Sequence, residues 1–134
     1  MACILVIDDD PLVRYTLKQI LEEENHEVIE ADNGKDAFQN AGLGRVDLMI
    51  TDIIMPEMEG IETIMKFRQC HPDIEIIAIS GGGRFKADVP LRLATRAGAT
   101  SLLTKPFGVD ELLEKVREGL RGTPIAAADQ SRRS

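Results

Sequence analysis

Residues 48–60 read LMITDIIMPEMEG: an apolar run that ends in one aspartate, then Met-Pro and a glycine, which cannot prolong a strand. The run is short, continuous and partly β-branched, which is the pattern of a strand buried on both faces. Strands of that kind belong to parallel sheets, whose ligand sites lie beyond the carboxyl ends of the strands. Asp52 stands at such an end. A lone loop acid is ordinarily a solvated turn residue, so the meaning of Asp52 depends on what the other strand ends carry.

Working outward, further apolar runs occur at CILVI (3–7), IEIIAI (74–79) and TSLLT (100–104), and the run before Asp52 is bounded as VDLMI (46–50). EVIEA (27–31) alternates, as a half-buried edge strand does. Helical spacing fills the gaps. From Pro11 to Glu24, Val13, Leu17, Ile20 and Leu21 share one face, with Asp10 placed as N-cap and Pro11 at the first helical position. Asn33 to Ala41 and Ile61 to Cys70 read as two more helices. Pro90 to Ala97 reads as a shorter one, which leaves Ser80 to Val89 as a long connection. From Val109 to Leu120 the stripe is Val109, Leu112, Leu113, Val116 and Leu120. Strands alternating with helices define an α/β chain, with a parallel sheet covered on both faces. After Arg121 the stretch GTPIAAADQSRRS has turn residues and no apolar periodicity. Residues 1–121 therefore read as one domain and 122–134 as a flexible tail or linker remnant.

The totals agree with a single core. A chain of 134 residues suits one domain, and an aromatic share of 4% requires that its core be aliphatic. The net charge of −7 opposes direct contact with nucleic acid phosphates. Cys3 and Cys70 are far apart in sequence and are expected as reduced thiols. The start, MACILVIDDD, has no basic leader, and no apolar stretch approaches the ~20 residues of a membrane span. A cytoplasmic location without membrane contact is the expectation.

Polar residues follow the apolar runs. Asp8, Asp9 and Asp10 come after the first strand, Asp52 after the third, Ser80 after the fourth and Lys105 after the fifth. Two unit charges 4 Å apart repel by about 4 kcal/mol at an effective dielectric near 20, so converging carboxylates need a cation. An all-oxygen set with no His or Cys nearby favours Mg²⁺, which readily shares its shell with phosphate oxygens. Lys105 adds a point charge suited to phosphate and Ser80 a hydroxyl donor. The set is what phosphoryl transfer to a carboxylate requires. Each residue also has a plain reading: the aspartates as a helix-capping turn, Ser80 as a loop serine, Lys105 as a solvated lysine. Placement after four different strands is hard to explain by capping alone.

With those residues in view, the chain resembles the receiver domain of two-component response regulators over about residues 1–121. ILVIDDDP, LMITDIIMPEMEG, IIAIS and LLTKPF occur in family order and at nearly family spacing. The resemblance implies a doubly wound, flavodoxin-like parallel sheet of order 2-1-3-4-5 with five surrounding helices. It implies Asp52 as phosphoacceptor for a sensor histidine kinase or a small phosphodonor. Asp9 and Asp52 would bind Mg²⁺ directly, the Ile54 carbonyl would add a ligand, and Asp8 would help through water. Ser80 would be the switch hydroxyl and Lys105 the phosphate-pairing lysine. Met55, Pro56 and Gly60 would shape the turn, and the bond before Pro106 would be cis. Output would pass to a downstream protein partner or a linked effector domain, through the fourth helix, fifth strand and fifth helix.

Two departures qualify this resemblance. Leu102 stands where the family has an aromatic switch residue. The connection SGGGRFKADVP is about three residues longer than expected, and the flexible backbone of Gly81, Gly82 and Gly83 must lose entropy to order around a phosphate. Ile54 and Gly82, two residues beyond Asp52 and Ser80, cannot orient water through their side chains, so slow self-hydrolysis is expected. The chain would then be no turnover enzyme, only a catalyst of its own phosphorylation and dephosphorylation. Two rivals remain: a haloacid-dehalogenase-like phosphatase with Asp8 as nucleophile and Asp10 as acid, and a receiver-like binding module that takes no phosphate.

Overall fold

A computed structural model describes residues 2–40, 44–53, 59–80 and 88–121. Its elements, in chain order, are β1 (Cys3–Ile7), α1 (Pro11–Glu23), β2 (Glu27–Ala31), α2 (Gly34–Asn40), β3 (Leu48–Asp52), α3 (Glu59–Cys70), β4 (Glu75–Ser80), α4 (Asp88–Ala97), β5 (Ser101–Thr104) and α5 (Val109–Arg121). The strands pair in parallel in the order β2-β1-β3-β4-β5. This is the doubly wound sheet that the sequence implied. Strand order reverses at β1, so the crevice beyond the carboxyl ends of β1 and β3 is the expected site.

Both faces of the sheet are apolar because both are covered. Leu5, Ile7, Met49, Ile76 and Ala78 pack with Ala37, Ile64, Phe67 and Ala94 on the side of α2, α3 and α4. Ile4, Val6, Leu48, Ile50, Ile77 and Ile79 pack with Leu17, Leu21, Leu112 and Val116 on the side of α1 and α5. Alternate residues of one strand thus enter opposite layers, which is why the central strands read as unbroken apolar runs. Phe67, buried among aliphatic side chains, stacks on Phe38 at 4.3 Å between ring centroids.

Element ends differ from the sequence reading in informative ways. The third strand lies two residues later than VDLMI suggests, so Asp52 is its last residue rather than its successor. Asp47 explains the shift: its carboxylate takes the Cys3 N–H at 2.8 Å, while its own N–H reaches the Cys3 carbonyl. A side chain has replaced a ladder bond there. The fourth strand likewise runs to Ser80. Helix α3 starts at Glu59 and α4 at Asp88, each two residues before the expected start. Asp10 caps α1 through the Leu12 N–H, with Pro11 at the first turn. Val109, counted in the α5 stripe by spacing, is 51% exposed, because the first helical residue sits at a rim beside Leu12 and Phe107. Ile54, Met55, Pro56, Gly81, Gly82, Gly83 and the tail 122–134 lie outside the described residues.

Candidate functional site

The register of the sheet sets the site. Ile7 is level with Thr51, so the next residues, Asp8 and Asp52, emerge side by side from adjacent parallel strands. Asp52 is level with Ile79, and Ser80 is level with Thr104, which places Ser80 and Lys105 on the other flank. The Lys105 N–H donates to the Ser80 carbonyl at 2.8 Å, continuing the ladder one residue past β5. The Lys105–Pro106 bond is cis.

Asp8, Asp9 and Asp52 each bring one carboxylate oxygen to within 4.8 Å of the others. Asp8 is 1% exposed and Asp52 6%, while Asp9 faces solvent. The Lys105 ammonium lies 3.2 Å from Asp52 Oδ2 and 3.6 Å from Asp8 Oδ2. Ser80 is fully buried at the end of β4. Leu102, half-buried in β5, packs against the layer that holds Ala94 of α4.

Asp8 is the most constrained member. Its N–H donates to the Ala31 carbonyl of β2, its Oδ1 accepts the Asp10 N–H at 2.8 Å, and its carbonyl accepts from the Arg14 guanidinium. Its Oδ2 is buried with no hydrogen-bond partner. Burial pushes the Asp8 carboxyl above the ordinary aspartate range. The Asp10 N–H and Lys105 oppose that rise, while the charges on Asp52 and Asp9 add to it. For Lys105, burial acts to lower the ammonium, but Asp52 and Asp8 outweigh it and leave the group above its usual value.

Three carboxylates faced by the single Lys105 ammonium, one of them with a buried oxygen that accepts no hydrogen bond, make a donor set that can take a further cation. All its ligand atoms are hard oxygens, and the residues fit Mg²⁺. Gly60, in the first turn of α3, makes the close approach possible. A Cβ there would lie 2.6 Å from Ile53 Cα and 2.7 Å from the Asp52 carbonyl oxygen. Asp10, the acid of the phosphatase alternative, accepts the Leu12 N–H and caps α1.

Asp8, Asp9, Asp52 and Lys105 are therefore brought together, with Ser80 at the adjoining strand end. Arg14 and Glu30 were not singled out by the sequence. A cation six residues beyond the first acid is the signal that was available, but only the fold shows that it turns back.

A doubly wound parallel sheet with an acid cluster and a lysine at its switch point is the arrangement of a phosphoacceptor class of domains. The chain belongs to the response regulator receiver domain family, whose sequence model matches residues 4–117. Among curated relatives, the DNA-binding transcriptional regulator NtrC of Azospirillum brasilense is 36% identical over 127 residues, covering 94% of this chain and 26% of that protein. The transcriptional regulatory protein SrrA of Staphylococcus aureus is 33% identical over 128 residues, covering 96% of this chain and 52% of that protein. The chain thus spans between about a quarter and about half of these relatives. Among solved structures, a CheY-like receiver domain protein from Methanospirillum hungatei superposes with a TM-score of 0.80 at 31% identity, covering 90% of this chain and 94% of that one. The response regulator TrrA of Thermotoga maritima, in complex with Mg(2+)-BeF, gives 0.74 at 37% identity, covering 88% and 98%. No helix among the described residues is long and apolar enough to cross a membrane.

Proposed function

We propose that this receiver accepts a phosphoryl group on Asp52 from a sensor histidine kinase, in a Mg²⁺-dependent reaction. The observation that carries the reading is the convergence of carboxylate oxygens of Asp8, Asp9 and Asp52 within 4.8 Å, where Asp8 also has a buried oxygen with no hydrogen-bond partner. Asp9 and Asp52 would hold the metal, with the Ile54 carbonyl as a further ligand and Asp8 helping through water. The ion supplies positive charge for the phosphoryl oxygens as they approach the acids.

The protein's own groups do the rest. An Asp52 oxygen attacks phosphorus, the bond to the donor breaks, and the carboxylate becomes an acyl phosphate. Lys105, which pairs with Asp52 at 3.2 Å, exchanges that partner for a phosphoryl oxygen. Ser80 donates its hydroxyl to another. Repositioning of Ser80 then switches the connection around Gly81, Gly82 and Gly83, and with it the face made by α4, β5 and α5, where a partner docks. Leu102 transmits the change by shifting rotamer without an aromatic ring. On this reading residues 1–121 are the receiver domain, 122–134 a flexible tail or linker remnant, and the protein works in the cytoplasm. TrrA in complex with Mg(2+)-BeF supports the metal assignment by analogy.

The test is uptake of label from acetyl phosphate with Mg²⁺ by Asp52→Asn and Asp8→Asn variants. Asp52→Asn abolishes labelling. A wild type that binds Mg²⁺ but takes up no label would instead identify a binding module.

A further inference from the structure

We infer that Arg14 is a positioning residue for the acid pair, a role that rests on the functional reading above. Arg14 lies in the first turn of α1, and its N–H donates to the Asp10 carbonyl at 3.1 Å. Its side chain, 18% exposed, turns back and donates to the Asp8 carbonyl. That oxygen belongs to the peptide unit joining Asp8 to Asp9. Rotation of this peptide would swing the two carboxylates apart, so a donor fixed on its oxygen fixes their relative orientation.

The guanidinium is held from the far side. Its Nε lies 3.6 Å from Glu30 of β2, whose other oxygen lies 3.5 Å from Lys18. Glu30 is anchored in the strand next to β1, level with Val6. The guanidinium thus clamps the acidic turn between the helix that follows it and the strand beside it. Asp8 is left with one oxygen, Oδ2, that accepts no hydrogen bond and lies 3.6 Å from the Lys105 ammonium. A planar fork can serve two acceptors at once, whereas a lysine ammonium reaches one of these with its full geometry.

Direct electrostatics and positioning predict opposite signs. A cation this close to the acids disfavours a divalent ion, so removing it should tighten Mg²⁺ binding if charge alone mattered. Positioning predicts weaker binding, by about tenfold, the lower end for loss of a group that orients metal ligands. The test is a Mg²⁺ titration of the full 134-residue chain at fixed ionic strength, for wild type, Arg14→Ala and Arg14→Lys, with Asp9→Asn as a control that removes a ligand. Both Arg14 variants should bind about tenfold more weakly, and saturating Mg²⁺ should restore labelling by acetyl phosphate to the wild-type rate. The Asp8 carbonyl ¹³C shift should move in both.

Arg14→Lys keeps the charge, so it carries the test if Arg14→Ala melts too low to titrate. Equal or tighter binding by Arg14→Lys overturns the inference while leaving the functional reading intact. A wild type that binds no Mg²⁺ overturns both.

Discussion

Asp8→Asn should make the metal-free protein more stable while removing much of its capacity for Mg²⁺. Asp8 is 1% exposed, and its Oδ2 has no hydrogen-bond donor. At the 4.8 Å limit of the cluster, its repulsion with Asp52 is about 3.5 kcal/mol at an effective dielectric of 20. The Lys105 ammonium at 3.6 Å returns about 4.6 kcal/mol on the same scale. These nearly cancel. What remains is the desolvation of a buried carboxylate oxygen that accepts no hydrogen bond, about 1–3 kcal/mol.

Asparagine keeps the oxygen that accepts the Asp10 N–H and puts an uncharged amide where the buried carboxylate oxygen stood. Losing the Lys105 attraction costs about 1 kcal/mol more than losing the Asp52 repulsion returns, so the net gain should be about 1 kcal/mol, or roughly 3–5 °C in Tm for a domain of this size. The assay is thermal unfolding followed by circular dichroism, in EDTA and again in Mg²⁺. At a tenfold excess of Mg²⁺ over its Kd the wild type gains ~1.4 kcal/mol, and the variant little, so the gap should close or reverse. If Asp8→Asn melts at or below the wild type in EDTA, the cluster is not under electrostatic strain and the case for a missing cation fails.

Lys105→Met should tighten Mg²⁺ binding, because a competing cation leaves Asp52 and Asp8, yet slow labelling by acetyl phosphate; unchanged labelling would exclude Lys105 from the transfer. Gly60→Ala places a methyl 2.6 Å from Ile53 Cα, so the start of α3 must move off the end of β3. Urea unfolding should show a loss of about 1–3 kcal/mol, and labelling of Asp52 should fall with it. His26 accepts the Ala2 N–H at Nδ1, and burial, then the amino terminus, hold the imidazole below its ordinary range, with Glu24 opposing. Its stabilising contribution is therefore complete above the unfolded value near 6.5 and is lost as pH falls from there toward the folded value. His26→Asn, which retains an acceptor, should flatten that part of the pH–stability curve, and an unchanged curve would assign the slope to other groups.

The frame was legible because both faces of the sheet are covered: CILVI has no polar residue to mark an outside, IEIIAI has none after Glu75, and that uniformity identifies a central parallel strand. The acids at strand ends were legible for the complementary reason, since a carboxylate after such a run has no apolar surroundings to share. Less legible were effects in which a side chain stands in for backbone. Asp47 takes the Cys3 N–H and moves the start of β3, though VDLMI reads as one run. Val109 fits the α5 stripe by period, but periodicity does not say where a neighbouring helix ends. Gly60 could be assigned to a turn, yet the 2.6 Å approach that demands it arises only when α3 docks on Ile53. Sequence spacing reports faces and ends well, and reports contacts between elements poorly.

That division also explains why the site is built as it is. Register alone sets Asp8 beside Asp52, because both follow residues paired on adjacent strands. Parallel strands cannot slide by one residue without turning their buried side chains to the other face, so the packing of two apolar layers holds two mutually repelling carboxylates together. Lys105, 3.2 and 3.6 Å away, offsets the repulsion between them but does not restore the lost hydration of the buried Asp8 carboxylate. A sheet with one solvated face would relieve such strain by fraying at its strand ends. This one is enclosed on both sides, so relief must come from the open end of the crevice, as a proton or a cation, and the strain there becomes affinity for positive charge.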